Sequence, residues 1–93
     1  YTGDTDSCDN LHPLARDADL LLAEAAFQEG RDEVRGIHLT GRRAGALAHA
    51  AQVRPLVLTH LPPWNDPQVI RREAAAVYPG PIDLASPGDT WRL

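Results

Sequence analysis

The sequence contains no lysine, a single cysteine and no long apolar run. With only Cys8 available, the chain cannot form an internal disulfide, so we expect a reducing, cytoplasmic setting. No stretch approaches the roughly 20 apolar residues that a membrane-spanning helix needs, so we predict no membrane role. All nine basic residues are arginine, and the formal net charge is -4. This balance argues against a protein that wraps nucleic acid by bulk positive charge.

The 93 residues can form one domain at most, and their composition, 43% hydrophobic and 24% charged, is that of a globular chain. A chain of this size buries only about 60 to 65% of the surface that its unfolded form exposes. We therefore expect its stability in isolation to be marginal.

Apolar runs of strand length predict strands within 19–27 and 54–61, and residues 1–3 read as the tail of an earlier strand. Residues 82–85 and 90–93 read as a terminal hairpin across a Ser-Pro-Gly-Asp turn. A strand reading of 19–27 competes with a helix on propensity alone. Its shortness and its position between two stripes of helical period favour the strand.

Apolar residues three and four positions apart predict three helices between these strands. The first carries the stripe Leu11, Leu14, Ala15 and Ala18, and the others begin at the capping residues Thr40 and Asp66. Strands that alternate with helices indicate an α/β fold with a largely parallel sheet and right-handed crossovers.

Three polar residues end or follow the predicted strands: Asp4, Glu24 and His60. Ligands of such sheets gather beyond the carboxyl ends of the strands, and neighbouring strands lie about 4.8 Å apart. We therefore expect these side chains to converge on one small volume.

Each polar residue, taken alone, also has a structural interpretation. Gly-Asp-Thr at Asp4 is compatible with an ordinary turn, and we assign the second Gly-Asp-Thr, at Asp89, to a turn. His38 and His60 are as compatible with structural histidines as with functional ones. Glu24, in an apolar segment, needs a partner if it is buried, and a histidine is the nearest type.

Four motifs occur in a specific order: Gly-Asp-Thr at 3–5, Glu-Ala-Ala-Phe at 24–27, His-Leu-Thr at 38–40 and Leu-Thr-His at 58–60. This order resembles the second half of the metallo-β-lactamase-fold hydrolases. It is most similar to the branch that contains the tRNA 3′-processing endonuclease RNase Z and cyclic-nucleotide phosphodiesterases. The resemblance covers essentially the whole chain and implies that residues 1–93 form the C-terminal half of an αββα sandwich.

The resemblance also implies roles for these residues. Asp4 would bridge two divalent metal ions, zinc or else manganese or iron, and His60 would bind one of them. His38 would donate a proton to the leaving oxygen, and Glu24 would orient the His38 ring. The implied reaction is hydrolysis of a phosphodiester bond by a metal-activated water.

Two departures from the family pattern shape the functional hypothesis. The His-x-His-x-Asp-His motif, which supplies most metal ligands and the general base, has no counterpart in the 93 residues, and Ala23 stands where relatives usually carry histidine. We therefore expect the chain to be the carboxyl-terminal half of a longer enzyme and to be inactive without its N-terminal half.

The acidic charge favours a cyclic nucleotide or a similar small phosphodiester as substrate, and the Pro-Pro-Trp sequence that ends at Trp64 resembles the phosphodiesterase-like members. Trp64 would then contact a base, or else it packs over the sheet edge in a structural role. Two alternative functions stay open: an RNase Z-like enzyme with an RNA substrate, and a non-catalytic binding or assembly module that keeps the fold. A homodimer also stays open as the oligomeric state. Arg42 and Arg43 either meet a substrate phosphate or form a solvated face.

Overall fold

In a computed structural model that describes all 93 residues, three helices and three strands alternate along the chain. In order they are α1 (Leu11–Ala15), β1 (Leu21–Glu24), α2 (Gly41–Ala51), β2 (Leu56–Thr59), α3 (Pro67–Ala75) and β3 (Ile82–Leu84). None of the three helices has the length and hydrophobicity needed to cross a membrane.

The three strands form one parallel sheet in the order β1-β2-β3, with Leu56 of β2 aligned between Leu21 and Ile82. The predicted α/β class with a parallel sheet is thus confirmed. Residues 1–3 form no regular strand, but they run beside β1, since the backbone N–H of Thr2 donates to Leu22 O at 3.0 Å. All three carboxyl strand ends therefore lie at the same edge of the sheet.

Both predicted helix caps are present. Thr40 Oγ1 accepts from the backbone N–H of Arg43 at 3.1 Å, and Asp66 accepts from the N–H of Gln68 at 2.9 Å. The predicted stripe of α2 is buried and joins the core under the sheet: Ala44, Leu47, Ala48 and Ala51.

Helices α2 and α3 approach so closely that only glycine fits at two positions of α2. A Cβ atom built at Gly41 would lie 2.1 Å from Ile70 O, and one built at Gly45 would lie 2.7 Å from Ala74 O. Neither distance leaves room for a side chain, so the two glycines allow the close spacing of these helices.

The first helix is shorter than predicted. It ends at Ala15, and Asp17 adopts the left-handed conformation with φ 59°, which a helix cannot continue through. Leu14, predicted on the buried stripe, is 69% exposed, whereas Leu11 and Ala15 are buried. The predicted strand within 19–27 is likewise reduced to the four residues of β1.

The predicted terminal hairpin is wrong. Residues 90–93 form no strand, and β3 pairs in parallel with β2 alone. The tail contacts β3 through a side chain, because Trp91 Nε1 donates to Asp83 at 3.2 Å instead of forming a backbone ladder. The turn itself does form, with Asp89 accepting from the N–H of Ser86 at 2.8 Å.

Candidate metal and acid–base site

Glu24, the last residue of β1, is completely buried and holds His38. Its Oε1 accepts from the N–H of Thr5 at 2.9 Å and lies 2.8 Å from His38 Nδ1, and its Oε2 accepts from the N–H of Ala26 at 3.0 Å. Because both carboxyl oxygens face backbone donors, the carboxyl group can only accept. His38 Nδ1 therefore donates in this pair, and Nε2 is left for other chemistry.

Asp4 and His60 meet at the same edge of the sheet. Asp4 Oδ1 lies 3.1 Å from His60 Nδ1, and both side chains are exposed. Two left-handed residues make the approach possible, since Gly3 has φ 65° and His60 has φ 58°. This conformation costs about 1 to 2 kcal/mol for a residue other than glycine, so the turn after β2 carries strain at His60.

The two histidines join the pairs into one cluster. The His38 and His60 rings are 5.2 Å apart in an edge-to-face arrangement at 84°, and the Phe27 ring packs against His38 at 5.0 Å. One ligand atom each from Asp4, His38 and His60 lies within 4.8 Å of the others. The structure thus brings the four predicted site residues together.

The donor set of this cluster fits a divalent metal. One carboxylate oxygen with two imidazole nitrogens is a combination that zinc and related ions accept. Asp4 pairs with His60 and with no arginine, and its side chain is exposed, so its carboxylate is accessible to a cation. Three side chains do not complete the coordination of a metal pair, so further ligands would have to come from outside these 93 residues.

Asp6 is a buried carboxylate that sequence analysis did not identify as part of the site. It is 5% exposed, and all its donors are charged or backbone groups: Ser7 N, Arg35 Nε, Gly36 N and Arg43 Nη1. Burial by itself would raise the pKa of Asp6, but these hydrogen bonds, with that of Arg35 the largest, hold the pKa well below its usual range. Asp6 is therefore an ionised, fully paired carboxylate.

Arg43 is not part of a solvated face. Its guanidinium contacts Asp6 at 2.8 Å and Glu29 at 3.3 Å, and it also donates to His38 O at 3.3 Å. Arg42, the neighbouring residue, is exposed. Arg43 thus binds protein groups and is occupied, whereas Arg42 is free to meet solvent.

A second group of contacts holds the segment that leads to α2. Thr40 Oγ1 donates to Glu29 at 2.7 Å, and the N–H of Glu29 donates to Glu73 of α3 at 3.2 Å. Burial raises the pKa of Glu73, and one of its oxygens has no hydrogen-bond partner. The loop before His38 is therefore attached both to α2 and to α3.

His38 and His60 open onto a cleft of about 290 Å³. Its wall is completed by Phe27, Trp64, the ion pair of Arg31 and Asp32, and the small apolar residues Ala26 and Pro62. Trp64 is 76% exposed, the most exposed aromatic residue of the chain. A large exposed indole beside two histidines offers a flat surface to a bound molecule.

The same arrangement of strands and helices occurs in a solved protein. The crystal structure of YhfI from Bacillus subtilis, a metallo-β-lactamase fold protein, matches 98% of the chain with a TM-score of 0.90 and 34% identity. The chain belongs to the metallo-β-lactamase-fold superfamily. The predicted family and fold are thereby confirmed, and the match covers 38% of the YhfI chain.

Sequence relatives agree with this membership of the metallo-β-lactamase-fold superfamily. YhfI of Bacillus subtilis, named a probable metallo-hydrolase, is 35% identical over 98% of the chain and 37% of its own length. Ribonuclease Z of Myxococcus xanthus is 40% identical over 99% of the chain and 31% of its own length. An uncharacterised protein of Mycobacterium leprae is 44% identical over the whole chain and 33% of its own length.

The chain thus spans about a third of the length of the curated relatives that it matches. No protein-family profile matches it.

Proposed function

We propose that the full-length protein containing this chain is a divalent-metal hydrolase of phosphodiester bonds. The observation that carries the proposal is the cluster of Asp4, His38 and His60, with ligand atoms within 4.8 Å of one another and the buried Glu24 behind it. Similarity to a protein named a metallo-hydrolase and to a ribonuclease supports the reaction class.

Of the three potential donors, Asp4 and His60 would hold the metal in this proposal, and His38, whose ring is engaged by Glu24, would serve proton transfer. Asp4 has two carboxylate oxygens and can contact two cations, and His60 supplies one imidazole nitrogen. Divalent cations, when bound, supply Lewis acidity and lower the pKa of a water molecule. The residues of this chain contribute by fixing the ligand atoms at the edge of the sheet.

His38 is the proposed general acid. Its Nδ1 is engaged by Glu24 at 2.8 Å, which fixes the ring and leaves Nε2 as the atom that can carry a proton to the leaving oxygen. Glu24 is itself held by two backbone N–H groups, so the orientation of the ring depends on a rigid carboxylate. The pair therefore forms the acid–base part of the site.

The proposed substrate is a small phosphodiester such as a cyclic nucleotide. Its support is the cleft of about 290 Å³ beside His38 and His60, in which the exposed Trp64 can stack on a base. The net charge of -4 also disfavours a long polyanion. Similarity to ribonuclease Z favours the second candidate, a tRNA 3′-processing activity.

The test uses the full-length protein and its variants Asp4→Ala and His60→Ala. We expect both variants to lose bound metal and to hydrolyse bis(p-nitrophenyl) phosphate at least about 100-fold more slowly. Asp89→Ala is the matched control, because it removes the aspartate of the second Gly-Asp-Thr, in an exposed turn. Retention of metal and turnover by both site variants would contradict the proposal.

Two further measurements separate the alternatives. Faster turnover of a cyclic nucleotide than of a tRNA precursor supports the small-substrate hypothesis, and the reverse order supports the RNase Z-like one. A full-length protein that binds no metal and hydrolyses neither substrate would be a non-catalytic binding module.

The variant His38→Ala tests the proposed role of His38. It is expected to lower kcat and keep the metal, and loss of the metal would instead make His38 a ligand.

A further inference from the structure

The carboxylate of Asp6 connects two loops that carry site residues. It lies two positions after Asp4, and its Oδ2 accepts from Arg35 Nε and Gly36 N, both at 2.8 Å. Gly36 is two positions before His38. One buried carboxylate is thus bonded to the segment that delivers the proposed proton donor and belongs to the loop that delivers the proposed metal ligand.

The other oxygen of Asp6 also connects the two segments, through Arg43, which follows His38 in the sequence. Oδ1 accepts from the N–H of Ser7 at 2.6 Å and from Arg43 Nη1 at 2.8 Å. Arg43 also donates to the carbonyl oxygen of His38 at 3.3 Å. The residues on both sides of His38 are therefore attached, directly or through Arg43, to Asp6.

No other side chain of residues 4–7 or 35–43 makes a direct connection between the two segments. Every hydrogen bond between residues 4–7 and residues 35–43 ends on the Asp6 carboxylate. Glu24 of β1 links the segments indirectly, because its Oε1 accepts from the N–H of Thr5 and lies 2.8 Å from His38 Nδ1. Without Asp6, the two loops would have no direct hydrogen bond to each other.

We propose that Asp6 is a positioning residue that holds the loop of Asp4 against the segment of His38 and so fixes the separation of metal ligand and proton donor. This inference rests on the proposed function. Asparagine cannot replace the carboxylate, because both oxygens accept from donors and an amide NH2 group would face two of those donors. A displacement of about 1 Å at such a site can lower the rate about 100-fold.

The test compares Asp6→Asn with Asp9→Asn in the full-length protein. Both changes remove one negative charge from the same loop, but Asp9 is exposed and its side chain makes no hydrogen bond. For Asp6→Asn we expect backbone amide hydrogen exchange to accelerate in residues 35–40 and to stay unchanged in α3. We also expect kcat to fall about 10- to 100-fold with KM nearly unchanged. Asp9→Asn is expected to match the wild type in both measurements.

Wild-type exchange and kcat in Asp6→Asn would overturn the proposal. Equal acceleration of exchange in α3 would overturn it as well, since that result indicates a general loss of stability. If Asp6→Asn does not fold, Arg35→Ala removes one donor at an exposed position, with the exposed Arg16→Ala as its control. For Arg35→Ala we expect faster exchange in residues 35–40 and a loss of kcat that is smaller than the loss expected for Asp6→Asn. Exchange and kcat identical to those of Arg16→Ala would contradict the inference.

The exchange measurement separates this inference from the proposed function. If the full-length protein hydrolyses no phosphodiester, the proposed function fails, and the exchange of residues 35–40 still decides whether Asp6 holds the two segments together.

Discussion

Replacing Glu24 by glutamine perturbs the centre of the site with almost no change of shape. The native carboxyl group is fully buried and accepts hydrogen bonds from Thr5, Ala26 and His38. A glutamine keeps one oxygen acceptor and introduces an NH2 group that only donates. In its best orientation the oxygen still serves Thr5 and His38, and the NH2 group faces the N–H of Ala26 without a bond.

The expected loss of stability follows from these contacts. A buried N–H left without a partner costs about 1 to 3 kcal/mol, and the two remaining bonds each weaken by about 1 kcal/mol because their acceptor is no longer charged. The relieved burial of a charged carboxylate offsets part of this sum. We expect the free energy of unfolding to fall by about 2 to 3 kcal/mol.

Urea unfolding of the full-length protein measures this change, and the midpoint is expected to fall by about 1 M. Glu33→Gln is the matched control, because Glu33 is exposed and makes no hydrogen bond. The kcat of Glu24→Gln is also expected to fall about 10- to 100-fold, since the His38 ring loses its charged partner. If Glu24→Gln unfolds at the same urea concentration as Glu33→Gln, the account of Glu24 as a buried three-bond acceptor is wrong.

Three other changes test separate parts of the fold. Burial raises the pKa of Glu73 above its ordinary value of 4.5, so folding favours the protonated form of this side chain. As the pH falls through the raised pKa, the wild type should therefore gain stability relative to Glu73→Gln. Urea unfolding at neutral pH and below pH 4.5 measures the difference, and a pH-independent difference would contradict it. Gly45→Ala places a Cβ 2.7 Å from Ala74 O, and the clash should cost about 1 to 3 kcal/mol, more than the roughly 1 kcal/mol gained in helix propensity. Thermal unfolding checks this change, and an unchanged or higher Tm would refute it. Tyr78→Phe removes a buried hydroxyl that donates to Val53 O at 2.7 Å. The free energy of unfolding in urea is expected to fall by about 1 to 2 kcal/mol, and an unchanged value would show that this bond contributes nothing.

Local chemistry was readable from the sequence where the partner lies close along the chain. The caps at Thr40 and Asp66 were predicted because a capping side chain bonds to an N–H two or three positions later. The contact between Glu24 and His38 could be anticipated for another reason. A carboxylate within a buried strand requires a partner, and the order of motifs supplied the histidine.

The residues that the sequence analysis missed have distant partners. Asp6 binds groups 29 to 37 positions further along the chain, so no periodicity or spacing indicates that it is buried. Glu73 has the same character, since its bond to Glu29 joins residues 44 positions apart. The terminal hairpin was predicted from two short strand patterns and the turn between them, and these signals cannot distinguish a paired strand from a tail that contacts β3 through Trp91.

The parallel arrangement of the strands also determines when the site can exist during biosynthesis. β1 can pair with β2 only after α2, which crosses between them, has been made, because parallel strands need a long connection. A nascent chain therefore leaves Glu24 exposed to solvent, and Asp4 apart from His60, until residue 60 has been synthesised and folded back. Assembly of the cluster of Asp4, His38 and His60 is consequently a late event, coupled to closure of the crossover and not to the first turns of helix.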